Sequence, residues 1–236
     1  MTLLADLTEK VNEFATANWG NIPNARVIPT PQDLTFGNTG ERLNVTVMYA
    51  DVHRSTQMVD TLVDTLAAEY YKAFLHCAAK IIRKYDGTIQ AYDGDRVMAI
   101  YTGDAQADLA VGTALEIAYA VDSIINPTFA MRYGALHRVL KHTVGIDGGV
   151  LLVAKTGVRV DSDLVWVGPA ANYAAKLNSF AGLDPGFPTR ITAHVFAQLT
   201  DRRSLYGDSG DLMWTGPFND LGTYSHYRSN YRRSIL

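Results

Sequence analysis

Two aspartates lie where a carboxylate needs a positive partner. Asp51 ends the strand-like run NVTVMYADV, and Asp95 lies in the turn of YDGDRV, between two further strand-like runs. If these segments are neighbours in one sheet, both carboxylates reach the same edge, where they repel each other unless a cation neutralises them. Paired carboxylates suit Mg²⁺ or Mn²⁺, the ions that clamp the attacking and leaving oxygens in phosphoryl transfer. The alternative is that Asp51 is only a cap and Asp95 only a hairpin residue, because Asp-Gly turns are common.

The segment after Asp51 adds a candidate phosphate site. His53, Arg54, Ser55 and Thr56 follow almost directly and open a long helical pattern. The first N–H groups of a helix have no intrahelical acceptor, and the helix dipole favours an anion there. Carboxylates for a metal beside N–H donors for phosphate predict a metal–polyphosphate site.

Strands and helices alternate in an order that would position these groups. The sequence predicts a strand ending at Asp51, one long helix whose apolar face runs from Val59 to Ile81, and a hairpin in which GTIQAY and RVMAIY flank DGD. It also predicts a helix over residues 106–125, strands in HTVGIDGGVLLV and DLVWVG, and a helix in AANYAAKLNSFAG that ends at Gly182. Hairpins mixed with crossovers favour an α+β fold, with helices packed on a mixed sheet.

The N-terminal segment differs from the rest of the chain. Residues 3–18 have the apolar spacing of an amphipathic helix, and NIPNARVIPTPQDLTFGNTGER has the proline and glycine content of a connector. The sequence therefore predicts an N-terminal helix and connector over residues 1–42 and one main domain over residues 43–236.

Composition argues against several classes of protein. The 236 residues have a formal net charge of -3, without the basic excess of a general nucleic-acid binder. Cys77 is the single cysteine, which excludes an intramolecular disulfide and is typical of a reducing compartment. No apolar run approaches the roughly 18 residues of a membrane span, and the acidic N-terminus is unlike a secretory signal. We expect a cytoplasmic protein that uses neither a membrane nor a nucleic-acid template.

Four segments, in order, resemble class III nucleotidyl cyclases. YADVHRST resembles that family's first metal-binding segment, and YDGTIQAYDGDRVMAIY resembles the hairpin with the second metal aspartate. VGIDGGVLL resembles the strand segment that follows, and VWVGPAANYAAKL resembles the helix that supplies an asparagine and, four residues on, an arginine. Each segment is weak alone, but together they cover roughly residues 43–200. The resemblance implies a ferredoxin-like, mainly antiparallel α+β cyclase fold and a head-to-tail homodimer with shared active sites.

The resemblance also implies roles for individual residues at the metals. Asp51 and Asp95 match the two metal aspartates, and Val52 matches the residue whose backbone carbonyl binds metal. The turn that holds the triphosphate is matched by His53, Arg54, Ser55 and Thr56. Two ions per site, Mn²⁺ or Mg²⁺, would then support in-line attack of the 3′-hydroxyl on the α-phosphate.

The second half of the implied site comes from the partner subunit. Asn172 matches the asparagine that orients the ribose, and Lys176 occupies the position of the arginine that stabilises the transition state. Residues four apart share one helix face, so both side chains point to the same side. Lysine keeps the charge of arginine but loses its bidentate geometry.

The base-reading positions depart from the family pattern. Purine cyclases carry Lys or Glu four residues before the second metal aspartate, and Asp, Thr or Cys three residues before the helix glycine. This chain has Ala91 and Val165 there, and neither can hydrogen-bond a base edge. Because both metal aspartates remain, we favour an active enzyme with a changed base over a degenerate domain. The candidate base pocket comprises Tyr49, Ala91, Tyr92, Asp93 and Val165; its tyrosines would narrow it for a pyrimidine or be ordinary strand aromatics.

This pattern is similar to the bacterial pyrimidine cyclases of the Pycsar anti-phage system. That resemblance implies conversion of UTP to cyclic UMP with Mn²⁺, and a separate effector activated by the cyclic nucleotide. The residues do not separate UTP from CTP, and the preference for UTP rests on the resemblance. An atypical adenylyl cyclase and a catalytically silent dimerisation domain remain open alternatives. The basic tail HYRSNYRR would either reach the triphosphate or form a solvated terminus.

Overall fold

The computed structural model describes residues 2–180, 184, 186–222 and 224–235. Within them the helices are α1 (Leu3–Thr16), α2 (Ser55–Thr61), α3 (Asp64–Lys84), α4 (Gln106–Ala120), α5 (Asn126–Tyr133), α6 (Pro169–Ser179), α7 (Ala193–Gln198) and α8 (Arg202–Leu205). The strands are β1 (Glu41–Val52), β2 (Thr88–Asp93), β3 (Arg96–Tyr101), β4 (His142–Gly157), β5 (Ser162–Val167), β6 (Thr189–Thr192), β7 (Thr215–Leu221) and β8 (Tyr224–Ser229). No helix of the described residues is long and apolar enough to cross a membrane.

The chain divides into two compact units. One comprises Met1–Asn44 with Val150–Pro169, and the other comprises Val45–Gly149 with Ala170–Leu236. In the first unit, β5 pairs antiparallel with the second half of β4. In the second unit, the strands follow the order β2-β3-β1-β4-β6-β8-β7, with β4 and β6 parallel. The fold is the expected mixed, mainly antiparallel α+β sheet, whereas a domain boundary after residue 42 stays a prediction.

One face of the central sheet packs against helices α3 and α4. Alternate residues of β1 and β3 point into this core, because side chains alternate along a strand. They are Met48, Ala50, Val52, Val97, Ala99 and Tyr101. Helix α3 meets them with residues at helical spacing, including Tyr70, Phe74 and Ala78. The other residues of these strands, among them Tyr49 and Asp51, therefore point to the opposite face.

Helix α6 packs on the opposite face of the sheet at Gly145. A Cβ built on Gly145 would lie 2.1 Å from the backbone oxygen of Ala174, so only glycine permits this approach. The Thr143 hydroxyl donates to the backbone oxygen of Asn178 at 2.7 Å and fixes the end of the helix against β4. A glycine in a strand thus marks close contact with another backbone.

Two helical predictions need correction. The single long helix through Val59 and Ile81 is wrong, because the chain breaks at Leu62 and Val63, both of which have extended backbone. Val59 and Val63 are exposed, so the apolar spacing did not describe one buried face. The second helix continues past residue 125, because a π turn over Val121–Ile125 joins α4 to α5, with Pro127 in the first turn of α5. The predicted end of α6 at Gly182 lies outside the described residues.

Candidate active site

The two candidate metal aspartates lie together. The predicted hairpin is confirmed, and β1 pairs with β3 so that Ala50 is opposite Val97, which brings Asp51 beside Arg96 and Asp95. The pKa of the Asp51 carboxyl is raised to about 7, first by burial and then by the neighbouring Asp95 carboxylate. The Arg96 guanidinium lowers it by less. The pair therefore lacks enough positive charge within the described part of the chain.

These carboxylates fit a divalent cation. The Oδ2 atom of Asp95 is buried without a hydrogen-bond partner, which is costly for a carboxylate unless it meets a cation. No group of three or more His, Cys, Asp or Glu residues suited to a metal occurs among the described residues. Asp51 and Asp95 would hold the metal together with backbone oxygens, water or substrate phosphates. The backbone N–H of Val52 donates to the Asp51 carboxylate, and a ligand role for its carbonyl stays a prediction.

The turn after Asp51 presents backbone donors on three of its four residues. Arg54 adopts a left-handed conformation, with φ of 56°, and α2 begins at Ser55. The N–H groups of Ser55 and Thr56 belong to the first helical turn and have no intrahelical acceptor. The N–H of His53 instead donates to the Lys141 backbone oxygen at 2.8 Å. Any phosphate at this turn would therefore meet residues 54–56 rather than the His53 N–H.

His53 lies under the influence of two cations. Burial lowers the pKa of its imidazole, and the nearby Arg54 and Lys141 lower that pKa further. The ring therefore favours its neutral form beside the turn.

Tyr49, Met98 and Ala91 form a row across three strands. Tyr49 pairs with Met98, and Met98 pairs with Ala91, so the three side chains share the face on which Asp51 lies. The half-buried Tyr49 hydroxyl donates to the Met98 sulfur at 3.2 Å. This row lies next to the aspartates and contains two of the predicted base-pocket residues.

Arg96 joins this row to the metal aspartates. Its Nη2 donates to Asp93 Oδ2 at 2.6 Å, and its guanidinium carbon lies 5.7 Å from the centroid of the Tyr49 ring. The positive charge of the same guanidinium lowers the pKa of the Asp51 carboxyl. The register assigns Asp93 and Arg96 to the face of the sheet on which Asp51 lies.

Tyr92 does not join the other candidate base residues. It pairs with Val97, which points into the helix-covered core, so Tyr92 follows that face and is 53% exposed there. A register shift between Ile89 and Ala91 sets this arrangement. The expectation that Tyr92 borders the same pocket as Tyr49 is wrong, because the two rings lie on opposite faces of the sheet.

The remaining candidates lie on other elements. Asn172 and Lys176 are both exposed on α6, one helical turn apart, and make no side-chain hydrogen bond or ion pair with a described residue. The charged groups that act on Asp51 are Asp95 and Arg96, and Lys176 is not among them. Val165 lies on β5 in the other compact unit, paired with Ala154 and 40% exposed.

The basic tail packs against its own chain. Arg232 bonds Asp122, Arg228 bonds Asp184, and the buried Arg233 bonds the backbone oxygen of Arg203. The three arginines therefore bond within their own chain, Arg232 at the exposed surface, and a contact between the tail and the triphosphate stays a prediction.

The sequence missed two cations that the fold brings to the turn. A cavity of about 370 Å³ beside α2 is lined by Arg54, Arg138 and Lys141 together with His53, Gln57, Met58, Thr61 and Val139. Arg138 and Lys141 lie more than 80 residues from the turn in RVLK, which carries no motif. No local pattern could have linked them to Arg54.

The chain is similar to known proteins in sequence and, separately, in fold. The chain is 42% identical, over the whole of both chains, to proteins named uridylate cyclase from Burkholderia cepacia and Xanthomonas perforans. It is 29% identical to a uridylate cyclase from Rhodovulum sp. (strain MB263), covering 99% of this chain and 98% of that one. No family model matches the chain.

The solved structures agree with the fold. The adenylyl cyclase CyaB from P. aeruginosa superimposes with a TM-score of 0.68 at 20% identity, covering 84% of this chain and 98% of that one. The guanylyl cyclase Cya2 gives a TM-score of 0.65 at 18% identity, covering 80% and 92%. At these identities the likeness shows the fold, and the full-length identity to the curated proteins shows the family. The chain is an enzyme of the uridylate cyclase family and has the fold of the adenylyl and guanylyl cyclases.

Proposed function

We propose that the chain converts UTP to 3′,5′-cyclic UMP and pyrophosphate, at two equivalent sites shared between the subunits of a head-to-tail homodimer. The observation that carries this proposal is the pair Asp51 and Asp95, two neighbouring carboxylates with an unpaired buried oxygen beside a turn of backbone donors. Two Mn²⁺ or Mg²⁺ ions bound there would lower the pKa of the 3′-hydroxyl and stabilise the leaving pyrophosphate.

The chain's own residues orient the substrate in this proposal. Asp51 and Asp95 hold the metal end, and the N–H groups of residues 54–56 hold the triphosphate. Asn172 of the partner subunit orients the ribose, and Lys176 of the partner subunit offsets the negative charge that develops on the phosphate. Their exposure on α6 supports a role toward a second subunit.

The base site in this proposal is built around Tyr49 and Arg96. Ala91, which shares the face of Tyr49, has no group that reads a base edge, as is also true of Val165. The Tyr49 ring reduces the space available for the base, and the Arg96 guanidinium can donate hydrogen bonds to a carbonyl oxygen such as those of uracil. Cytosine replaces one of these carbonyls with an amino group, so we expect UTP to be preferred over CTP.

The direct test is the product formed from each of the four NTPs with Mn²⁺. We expect cyclic UMP as the main product, and no cyclisation by Asp51→Ala protein that has the wild-type melting temperature. Cyclic AMP or cyclic GMP as the main product would refute the pyrimidine assignment, and cyclic CMP would place the enzyme among cytidylate cyclases. Activity retained in Asp51→Ala would refute the metal assignment.

We further propose that cyclic UMP acts as an anti-phage alarm signal read by a separate effector. The support is the resemblance to the Pycsar cyclases together with the uridylate cyclase relatives. Phage plating on cells that carry the cyclase and its effector, with wild-type or Asp51→Ala protein, measures this; equal plating on both would contradict it.

A further inference from the structure

We propose that the cavity between α2 and residues 137–141 is a binding site for a pyrophosphate group. The cavity has a volume of about 370 Å³, and three cationic residues, Arg54, Arg138 and Lys141, line it. Gln57 adds a neutral side chain with two N–H donors, whereas the Thr61 hydroxyl already donates to the Gln57 backbone oxygen at 2.9 Å. This combination suits a compact anion with many acceptor oxygens.

The charge in the cavity is unbalanced. None of its lining residues is acidic. Arg54, Arg138 and Lys141 form no ion pair with a carboxylate of the described residues. Three cations around one cavity repel one another, and a polyphosphate would remove this repulsion.

The segment that carries Arg138 and Lys141 is held rigidly by its backbone. The hydroxyl of the buried Tyr70 accepts from the Arg138 N–H at 3.0 Å and donates to the Arg138 carbonyl at 2.9 Å. The Asn126 side chain bonds Leu140 in the same way. Its amide oxygen accepts from the Leu140 N–H at 2.7 Å, and its amide nitrogen donates to the Leu140 carbonyl at 3.0 Å. Two side chains from distant helices thus fix a stretch without regular structure, while Arg138 itself stays exposed. Such a segment is prearranged to present charge, which reduces the entropic cost of binding.

The cavity is tied to the phosphate turn but separate from the metal aspartates. The His53 N–H bonds the Lys141 carbonyl at 2.8 Å, which joins the segment directly to the turn. Neither Asp51 nor Asp95 lines the cavity. A pyrophosphate group bound there is either the terminal part of the proposed substrate, in which case this step rests on the proposed function, or a free phosphate compound.

Calorimetry with inorganic pyrophosphate in EDTA tests the site without metal or turnover. We expect wild-type protein to bind, and Arg138→Gln/Lys141→Gln to bind at least about tenfold more weakly, since charge-assisted hydrogen bonds are lost. The matched control is Lys80→Gln/Arg83→Gln, which removes the same charge from the exposed face of α3 and should bind like wild type. No binding by wild type, or equal loss in both double variants, would overturn the proposal.

Steady-state kinetics with UTP then identify the source of the group. A raised KM with kcat nearly unchanged in Arg138→Gln/Lys141→Gln assigns the cavity to the substrate's terminal phosphates. An unchanged KM, with pyrophosphate binding lost, assigns it to a free phosphate compound; both results support the site. If the protein makes no cyclic UMP but pyrophosphate binding still depends on Arg138 and Lys141, the proposed function fails and this site stands.

Discussion

At the scale of residues, Asp51 and Arg96 are the groups whose environment is most unusual. Arg96 contacts the ring of Tyr49, bonds Asp93 and acts on the Asp51 carboxylate. It does not offset the burial of Asp51 and the repulsion from Asp95, so the pKa of Asp51 stays near 7. The chain retains an acid that opposes folding, which is expected where function requires it.

Asp51→Asn should therefore stabilise the metal-free protein. Because the pKa of Asp51 is raised on folding, the folded state binds its proton more tightly, and the penalty for ionisation grows from pH 4 to about pH 7 and then levels off. We expect a gain of about 1–2 kcal/mol at pH 8, discounted for partial solvent exposure, and little gain at pH 4. Urea unfolding in EDTA at both pH values measures it.

The control for this prediction is Asp60→Asn, which neutralises an exposed carboxylate on α2. It should show no comparable rise in stability between the two pH values. A gain for Asp51→Asn that is the same at pH 4 and pH 8 would contradict the assignment to ionisation.

At the scale of elements, the position of α6 depends on a single glycine of β4. Gly145 allows the helix backbone at Ala174 to approach the strand, and the Thr143 hydroxyl secures the end of the helix at Asn178. Because Asn172 and Lys176 lie on this helix, the contact also sets where they point.

Gly145→Ala should displace α6 and lower activity. Its Cβ would lie 2.1 Å from the Ala174 backbone oxygen, which cannot move without the helix. We expect a loss of about 1–3 kcal/mol in the free energy of unfolding, as for overpacked cores. We also expect kcat for cyclic UMP to fall in the protein that remains folded. Thermal unfolding and steady-state assays measure the two effects.

Gly148→Ala is the matched control on the same strand. A Cβ there meets no atom closer than 3.4 Å, so the substitution should leave both stability and kcat near the wild-type values. Gly145→Ala protein that behaves like Gly148→Ala would contradict this account of the helix.

At the scale of the whole molecule, the candidate residues fall into two groups that one chain does not join. Asp51, Asp95 and Arg96 act on one another, whereas Asn172 and Lys176 are exposed and make no side-chain hydrogen bond or ion pair with the described residues. In a symmetric dimer, the aspartates of each subunit would lie opposite Asn172 and Lys176 of the other, which would form two equivalent sites.

Mixing two inactive variants tests this arrangement. Asp51→Ala and Asn172→Ala should each lack activity, but subunit exchange would form mixed dimers with one intact site. Random assortment predicts recovery of about a quarter of wild-type activity. Asp51→Ala mixed with Asp95→Ala should recover none, because both changes affect the same half of the site. No recovery in the first mixture would contradict shared sites.

Turn chemistry and strand alternation are local, so the sequence was enough to predict the hairpin that carries Asp95 and the mixed α+β fold. It predicted that Asp51 and Asp95 meet only if their strands are neighbours, and the pairing of β1 with β3 supplies that condition. Tertiary structure decided what depends on contacts far apart in the chain. A register shift in β2 turned Tyr92 away from Tyr49, and extended backbone at Leu62 and Val63 separates α2 from α3. Hydrogen bonds from Tyr70 and Asn126 fix the segment of Arg138 and Lys141, and the His53 N–H joins it to the turn after Asp51. Side-chain spacing predicts the face of an element, but only packing between elements decides which residues from distant segments meet.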